Sequence, residues 1–298
     1  MRKHCLRTES SYQQNYLEGD LKVAIGQIAV ERDWETNRQT CLSLMDAAAR
    51  EGARLLVLPE GILARDITDP DIVGRTAQRM DGPFLSALLS ASSANDMTTM
   101  LTIHVPTGAD RVKNLFVVFR AGEVIATYEK LHLYDAFSAK ESESVAPGDT
   151  VPPLVEIDGL QFGLMTCYDV RFPELARRLA LDGADVLVLP AAWVKGPMKE
   201  WHWQVLTAAR ALDNTCYVIA CGECGPANIG ASVVVDPLGV PVARAGESET
   251  LFFADIDRER IAYARSALPV LENRRFDAPE LRMQRATTTP SAIRNTDV

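Results

Sequence analysis

Glu60, Lys130 and Cys167 combine into chemistry that none of them offers alone. A carboxylate can take the proton of a thiol, the sulfur can then attack a carbonyl carbon, and an ammonium can stabilise the oxyanion that forms. Each residue also has a plainer reading. Glu60 would serve as a helix cap, Lys130 as a surface charge, and a cysteine is more often an inert buried residue than a nucleophile. Together they supply a nucleophile, a base to ionise it and a cation.

The elements around Cys167 are the most informative. Leu160 to Thr166 is an apolar run bounded by Asp158-Gly159 and reads as a short buried strand. Pro173 suits the first turn of a helix, where its missing N–H costs nothing, and Glu174 suits the positive end of the helix dipole. The helical run stops at Gly183. Cys167 therefore lies on a strand-to-helix elbow, where backbone N–H groups converge and favour a thiolate or a developing oxyanion.

Glu60 and Lys130 also follow apolar strands. Leu55 to Leu58 precedes Pro59-Glu60, and Lys130 closes a strand from Glu123 that pairs with Leu115 to Arg120 across Ala121-Gly122. Residues just beyond strand C-termini are where α/β folds gather their chemistry. Further strands are expected at Leu21 to Ile28, Met97 to His104, Tyr217 to Cys221, Ser232 to Asp236 and Leu251 to Ile256. Helices are expected over Asp33 to Arg50, Phe84 to Asn95 and Trp203 to Leu212. Gly183 to Pro190 closely copies Gly52 to Pro59, which points to two α/β halves built alike. Their near-continuous apolar strands suit sheets covered on both faces. Residues 21–276 read as a single domain, 1–20 as a disordered N-terminal extension and 277–298 as a polar tail.

Composition removes other classes. A net charge of -9 argues against a nucleic-acid surface. No apolar run is long enough to span a bilayer. The six cysteines are unclustered, and residues 1–20 carry no apolar stretch of a secretory signal, so a reduced cytoplasmic protein is expected. Of the four histidines only His202 follows Cys167, and none stands in a cysteine-protease signature. Cys221-Gly222-Glu223-Cys224 is a lone C-x-x-C pair without a second, and reads as buried thiols rather than a zinc site.

Leu58-Pro59-Glu60, Glu129 to Leu133 and Met165 to Glu174 resemble, in order, the three motifs of the nitrilase superfamily of carbon–nitrogen hydrolases. The resemblance covers roughly Leu21 to Phe276. It implies a four-layer α-β-β-α sandwich, and a triad with Glu60 as general base, Lys130 as oxyanion stabiliser and Cys167 as nucleophile. It also implies a second glutamate at Glu141, an oxyanion contact from the Tyr168 backbone N–H, a homodimer, and no metal or organic cofactor. Thr102 to Pro106, Leu131 to Phe137, Pro190 to Pro197, Ala208 to Asp213 and Leu268 to Phe276 resemble the bacterial deaminated glutathione amidase branch. That branch cleaves its small amide substrate to 2-oxoglutarate and cysteinylglycine. The related ω-amidases, acting on 2-oxoglutaramate and succinamate, are the alternative, ahead of N-carbamoyl hydrolases and a non-enzymatic binding module. The same likeness makes Trp193 a substrate contact.

A 2-oxo acid substrate carries a carboxylate, so a basic side chain must face the pocket of this acidic protein. Arg171, Lys195 and Lys199 lie near the motifs. Lys195 is favoured, because it follows a strand end equivalent to the one carrying Glu60. Arg171 has a competing role, bracing the elbow by pairing with Glu174 or Asp169.

Overall fold

The computed structural model describes residues 20–282 except 70 and 138. The expectations for residues 1–19 and 283–298 lie outside the described residues. The chain begins with β1 (Leu21–Gln27), α1 (Trp34–Arg50), β2 (Leu55–Val57), α2 (Ile72–Thr76) and α3 (Pro83–Ser92). Then come β3 (Thr98–Pro106), β4 (Val112–Arg120), β5 (Glu123–Glu129), β6 (Val145–Ala146), β7 (Val155–Ile157) and β8 (Leu160–Leu164). The second half continues through α4 (Pro173–Asp182), β9 (Val186–Ala191), α5 (Lys199–Asn214), β10 (Tyr217–Gly222) and β11 (Val233–Val235). It closes with β12 (Pro241–Arg244), β13 (Thr250–Ile256), α6 (Arg258–Ala267) and α7 (Val270–Asn273).

Local chemistry sets the boundaries. Asp33 caps α1 by accepting from the N–H groups of Glu35 and Thr36, at 3.3 and 3.1 Å. Pro83 and Pro173 open α3 and α4 at their first turns. Gly183 ends α4 at φ 115°, a left-handed conformation that a side chain would strain. Ala121 and Gly122 both take positive φ, which makes the tight turn joining β4 to β5.

The two halves repeat one topology. The first sheet has the order β13-β1-β2-β3-β4-β5, with β6 added beside β4, and the second has β7-β8-β9-β10-β11-β12. In each, three parallel strands carry an antiparallel strand at one edge and two at the other. The copied sequence around Leu55 and Val186 thus occupies equivalent central strands, β2 and β9.

Alternation along those strands builds the layers. Leu55 and Val57 of β2 face Phe162, Val186 and Val188 across the space between the sheets. Leu56 and Leu58 point the other way, against Met45 and Ala48 of α1 and Leu85 and Leu88 of α3. Leu187 and Leu189 likewise pack on Leu175 and Leu179 of α4 and Trp203 of α5. Both faces of the central strands are covered, which is why those strands read as near-continuous apolar runs. The result is the four-layer α-β-β-α sandwich.

Several elements were not anticipated. β12 and α7 are four residues each and α6 mixes polar and apolar residues without a strong period, while α5 starts at Lys199, four residues earlier than the expected Trp203. Leu271 of α7 packs on the outer core beside α5, so this apolar stretch is used at least partly within its own chain.

Candidate active site

Cys167 follows β8 and opens a short 3₁₀ turn, Cys167–Arg171, that leads into α4. Its φ is 45°, in the left-handed region, where a non-glycine residue carries strain of order 1–3 kcal/mol. Asp169 holds this elbow in place. Its Oδ2 accepts from the Thr166 backbone N–H and the Tyr128 hydroxyl, both at 2.8 Å. Its Oδ1 lies 2.7 Å from His132 Nδ1 and accepts from the His132 N–H at 3.2 Å. The Tyr128 hydroxyl in turn accepts from the Leu131 N–H at 3.0 Å. One buried carboxylate therefore ties the cysteine elbow to the segment just after Lys130. The His132 ring also stacks on Phe172, with centroids 3.7 Å apart. The N–H groups of Cys167 and Tyr168 come first in the turn and have no acceptor within it.

Glu60 lies just past β2 and Lys130 just past β5, and both are buried, 4% and 2% exposed. Lys130 Nζ donates to Glu60 Oε1 at 2.9 Å and to the Glu141 carboxylate at 2.8 and 3.0 Å. Asn114 Nδ2 donates to Glu60 Oε1 at 2.8 Å, and the Ala192 N–H donates to Glu60 Oε2 at 2.9 Å. Glu141 is held from behind by the Tyr134 N–H at 2.6 Å. Both glutamates thus have fixed orientations toward one ammonium.

The charges around the thiol set its resting state. Burial pushes the Cys167 thiol well above its ordinary 9.0, and the facing Glu60 carboxylate adds to this. Burial also opposes the Glu60 carboxylate, but Lys130 and Arg65 hold it well below the usual 4.5. Lys130 is penalised by burial too, yet Glu141 and Glu60 hold it well above 10.5. At neutral pH the Cys167 thiol therefore faces the Glu60 carboxylate and the Lys130 ammonium. Such a set can move the thiol proton to Glu60 as sulfur bonds to a carbonyl carbon, with Lys130 beside the developing charge.

Glu60, Lys130, Glu141, Cys167 and Trp193 line one cavity of about 320 Å³. Trp193 forms a wall, with its indole N–H already donated to the Lys199 carbonyl at 3.0 Å. The Tyr168 side chain is half-buried beside the cavity, edge-on to Tyr134 and Phe172. Arg171 and Lys195 do not line the cavity. Arg171 sits behind the Trp193 ring at 4.8 Å, with Nη2 3.3 Å from His202 Nδ1, and makes no ion pair with Glu174 or Asp169. Lys195 is exposed and donates to the Gly225 carbonyl at 2.9 Å. The reason is local: the Lys195 N–H bonds the Ala227 carbonyl, which fixes that residue on the outer loop. The chain then turns through Gly196 and Met198, with φ 157° and 59°, and aims Lys199 inward.

Asn114, Arg65, His104 and the Ala192 N–H also reach the site, and none was singled out from the sequence. Asn114 left a signal, as an amide immediately before the expected apolar strand Leu115 to Arg120 and within observed β4. Arg65 pairs with buried Glu223 and donates to the Glu60 carbonyl at 2.9 Å. His104 is kept neutral by burial and by Arg65, its pKa lowered to about 3. Among the described residues no group of three or more His, Cys, Asp or Glu side chains is arranged to hold a metal ion. Cys221 and Cys224 are buried and unpaired.

A family model described as carbon–nitrogen hydrolase matches residues 22–266. The chain is 53% identical over 259 residues to a deaminated glutathione amidase of Escherichia coli O157:H7, covering 87% of this chain and 99% of that one. It is 36% identical over 275 residues to the human protein of the same name, covering 86% and 82%. Among solved structures, Nit3 of Saccharomyces cerevisiae, a member of branch 10 of the nitrilase superfamily, superposes with a TM-score of 0.76 at 30% identity, covering 88% and 99%. A variant amidase from Nesterenkonia sp. AN1 superposes with a TM-score of 0.75 at 25% identity, covering 87% and 96%. It carries the acetamide moiety of fluoroacetamide covalently on its active-site cysteine.

Proposed function

The chain belongs to the carbon–nitrogen hydrolase family, and from that premise we propose that it is a thiol amidase cleaving deaminated glutathione to 2-oxoglutarate and cysteinylglycine. One observation carries the reading: Cys167 shares a cavity with the Lys130 ammonium, which two oriented carboxylates grip. The similarity to deaminated glutathione amidases across nearly the whole chain supports the substrate.

In the proposed cycle Glu60 takes the Cys167 proton as Sγ adds to the amide carbon. Lys130 Nζ and the Tyr168 N–H bind the oxyanion, and Glu141 keeps Lys130 charged and aimed. The protonated Glu60 then gives its proton to the departing amine, leaving a thioester. Cysteinylglycine leaves, Glu60 takes a proton from a water that adds to the thioester, and that proton passes to the Cys167 sulfur as the C–S bond breaks and the acid is released.

The proposal includes a homodimer in a reducing, cytoplasmic setting. α5 exposes Trp201, Val205 and Leu212 along one side, an apolar stripe suited to a second copy. The five described cysteines are all unpaired. Light scattering that returns a monomer mass at micromolar concentration overturns the dimer.

The activity is tested by comparing kcat/KM for deaminated glutathione, 2-oxoglutaramate, succinamate and an N-carbamoyl amino acid. Deaminated glutathione is expected to lead by at least ~10-fold, about 1.4 kcal/mol of transition-state binding. A lead for 2-oxoglutaramate replaces the substrate with that of an ω-amidase, and no turnover of any of them ends the reading.

A further inference from the structure

One cation of the cavity has no carboxylate partner among the described residues. Among the described residues that line it, Lys130 is held by Glu60 and Glu141, Arg65 by Glu223, and Lys140 by Glu143. Lys199 lines the same space and is only 5% exposed. No described carboxylate pairs with it; its Nζ donates to the Tyr134 hydroxyl at 2.7 Å. An ammonium has three donors, so two remain for a ligand.

The surroundings sharpen the point. Lys199 Nζ lies 4.3 Å from the Phe137 ring centroid, 4.9 Å from Tyr134 and 5.4 Å from Trp193. Aromatic faces offset part of the cost of burying a cation but donate no lone pair to its N–H groups. A buried ammonium with spare donors, facing a cavity, is built to receive an anion.

We propose that Lys199 binds the carboxylate on the acyl side of the substrate and sets the preference for amides of dicarboxylic acids. The proposal rests on the amidase reading above. The acyl side is chosen because the amine must depart first while the acyl group stays on Cys167. The retained acid end is therefore the one that a buried, fixed cation such as Lys199 can hold through the whole cycle. Tyr134 links the two functions, since its hydroxyl accepts from Lys199 and its N–H holds Glu141.

The test compares succinamate with butyramide, which has the same length but a methyl group in place of the carboxylate. In Lys199→Met the ratio of their kcat/KM values should fall about 10- to 100-fold, the range expected for a hydrogen bond to a charged group. The loss should appear chiefly in KM for succinamate, and Lys199→Arg should recover part of the ratio. Equal losses on both amides, or an unchanged ratio, overturn the proposal and leave Lys199 a structural residue. Binding of 2-oxoglutarate to Cys167→Ala, with and without Lys199→Met, is measured alongside by calorimetry. If the wild type cleaves no amide but 2-oxoglutarate binds in a Lys199-dependent way, the substrate reading falls while the carboxylate site stands. If Lys199→Met binds 2-oxoglutarate as tightly as its parent, the proposal fails whatever the turnover.

Discussion

The backbone N–H of Ala192 donates to Glu60 Oε2 at 2.9 Å, although the two residues follow central strands of different sheets. β2 and β9 are equivalent in the repeated topology, so the end of one half orients the carboxylate of the other. The inter-sheet core that brings them together is therefore also a positioning device for the site. A shift of one sheet by a residue would lose this bond and leave a buried carboxylate oxygen short of a donor.

Replacing Lys130 by methionine should destabilise the protein by about 3–5 kcal/mol at neutral pH, since buried Glu60 and Glu141 lose their shared cation. The pH dependence should change sign. In the wild type the depressed Glu60 pKa contributes stability that is present above 4.5 and lost as pH falls through the lower folded value. In Lys130→Met burial dominates and raises that pKa, so the deficit should shrink as the solution is acidified and Glu60 takes up a proton. Urea unfolding at about pH 7 and about pH 5 measures this. A deficit that is constant with pH would refute it.

Asp169→Asn replaces an acceptor-only group with one that donates on one side. The Thr166 N–H, Tyr128 hydroxyl, His132 N–H and His132 Nδ1 converge on its two oxygens, so the variant cannot satisfy them all. A loss of about 1–3 kcal/mol is expected, with a fall in kcat because the cysteine elbow and the Lys130 segment come apart. Unchanged kcat with unchanged melting would show that the hub does not matter.

Glu60→Gln should separate thiol reactivity from catalysis. Burial and the Glu60 carboxylate both raise the Cys167 pKa, so removing that charge should lower it toward 9.0. The variant should be alkylated by iodoacetamide faster than wild type at neutral pH, yet lose at least ~10²-fold in amide turnover for want of a base. Slower alkylation would contradict the arrangement of charge described for the site.

The sequence by itself determined the frame and the reactive groups. Glu60, Lys130 and Cys167 each follow an apolar strand, and strands buried on both faces announce themselves as near-continuous apolar runs bounded by residues such as Pro59 or Gly159. The copy of residues 52–59 at 183–190 likewise disclosed the two-fold repetition of the fold. The tertiary structure decided which polar residues meet. Asn114, Ala192 and Asp169 lie far from Glu60 or Lys130 in the chain, and no local pattern records a contact made by packing two sheets. Lys195 and Lys199 are four residues apart in sequence and chemically identical. Backbone bonding at Ala227 and the left-handed residue Met198 turn one outward and the other into the cavity. Side-chain direction there depends on a few dihedral angles set by loop contacts, and composition and periodicity carry no record of them.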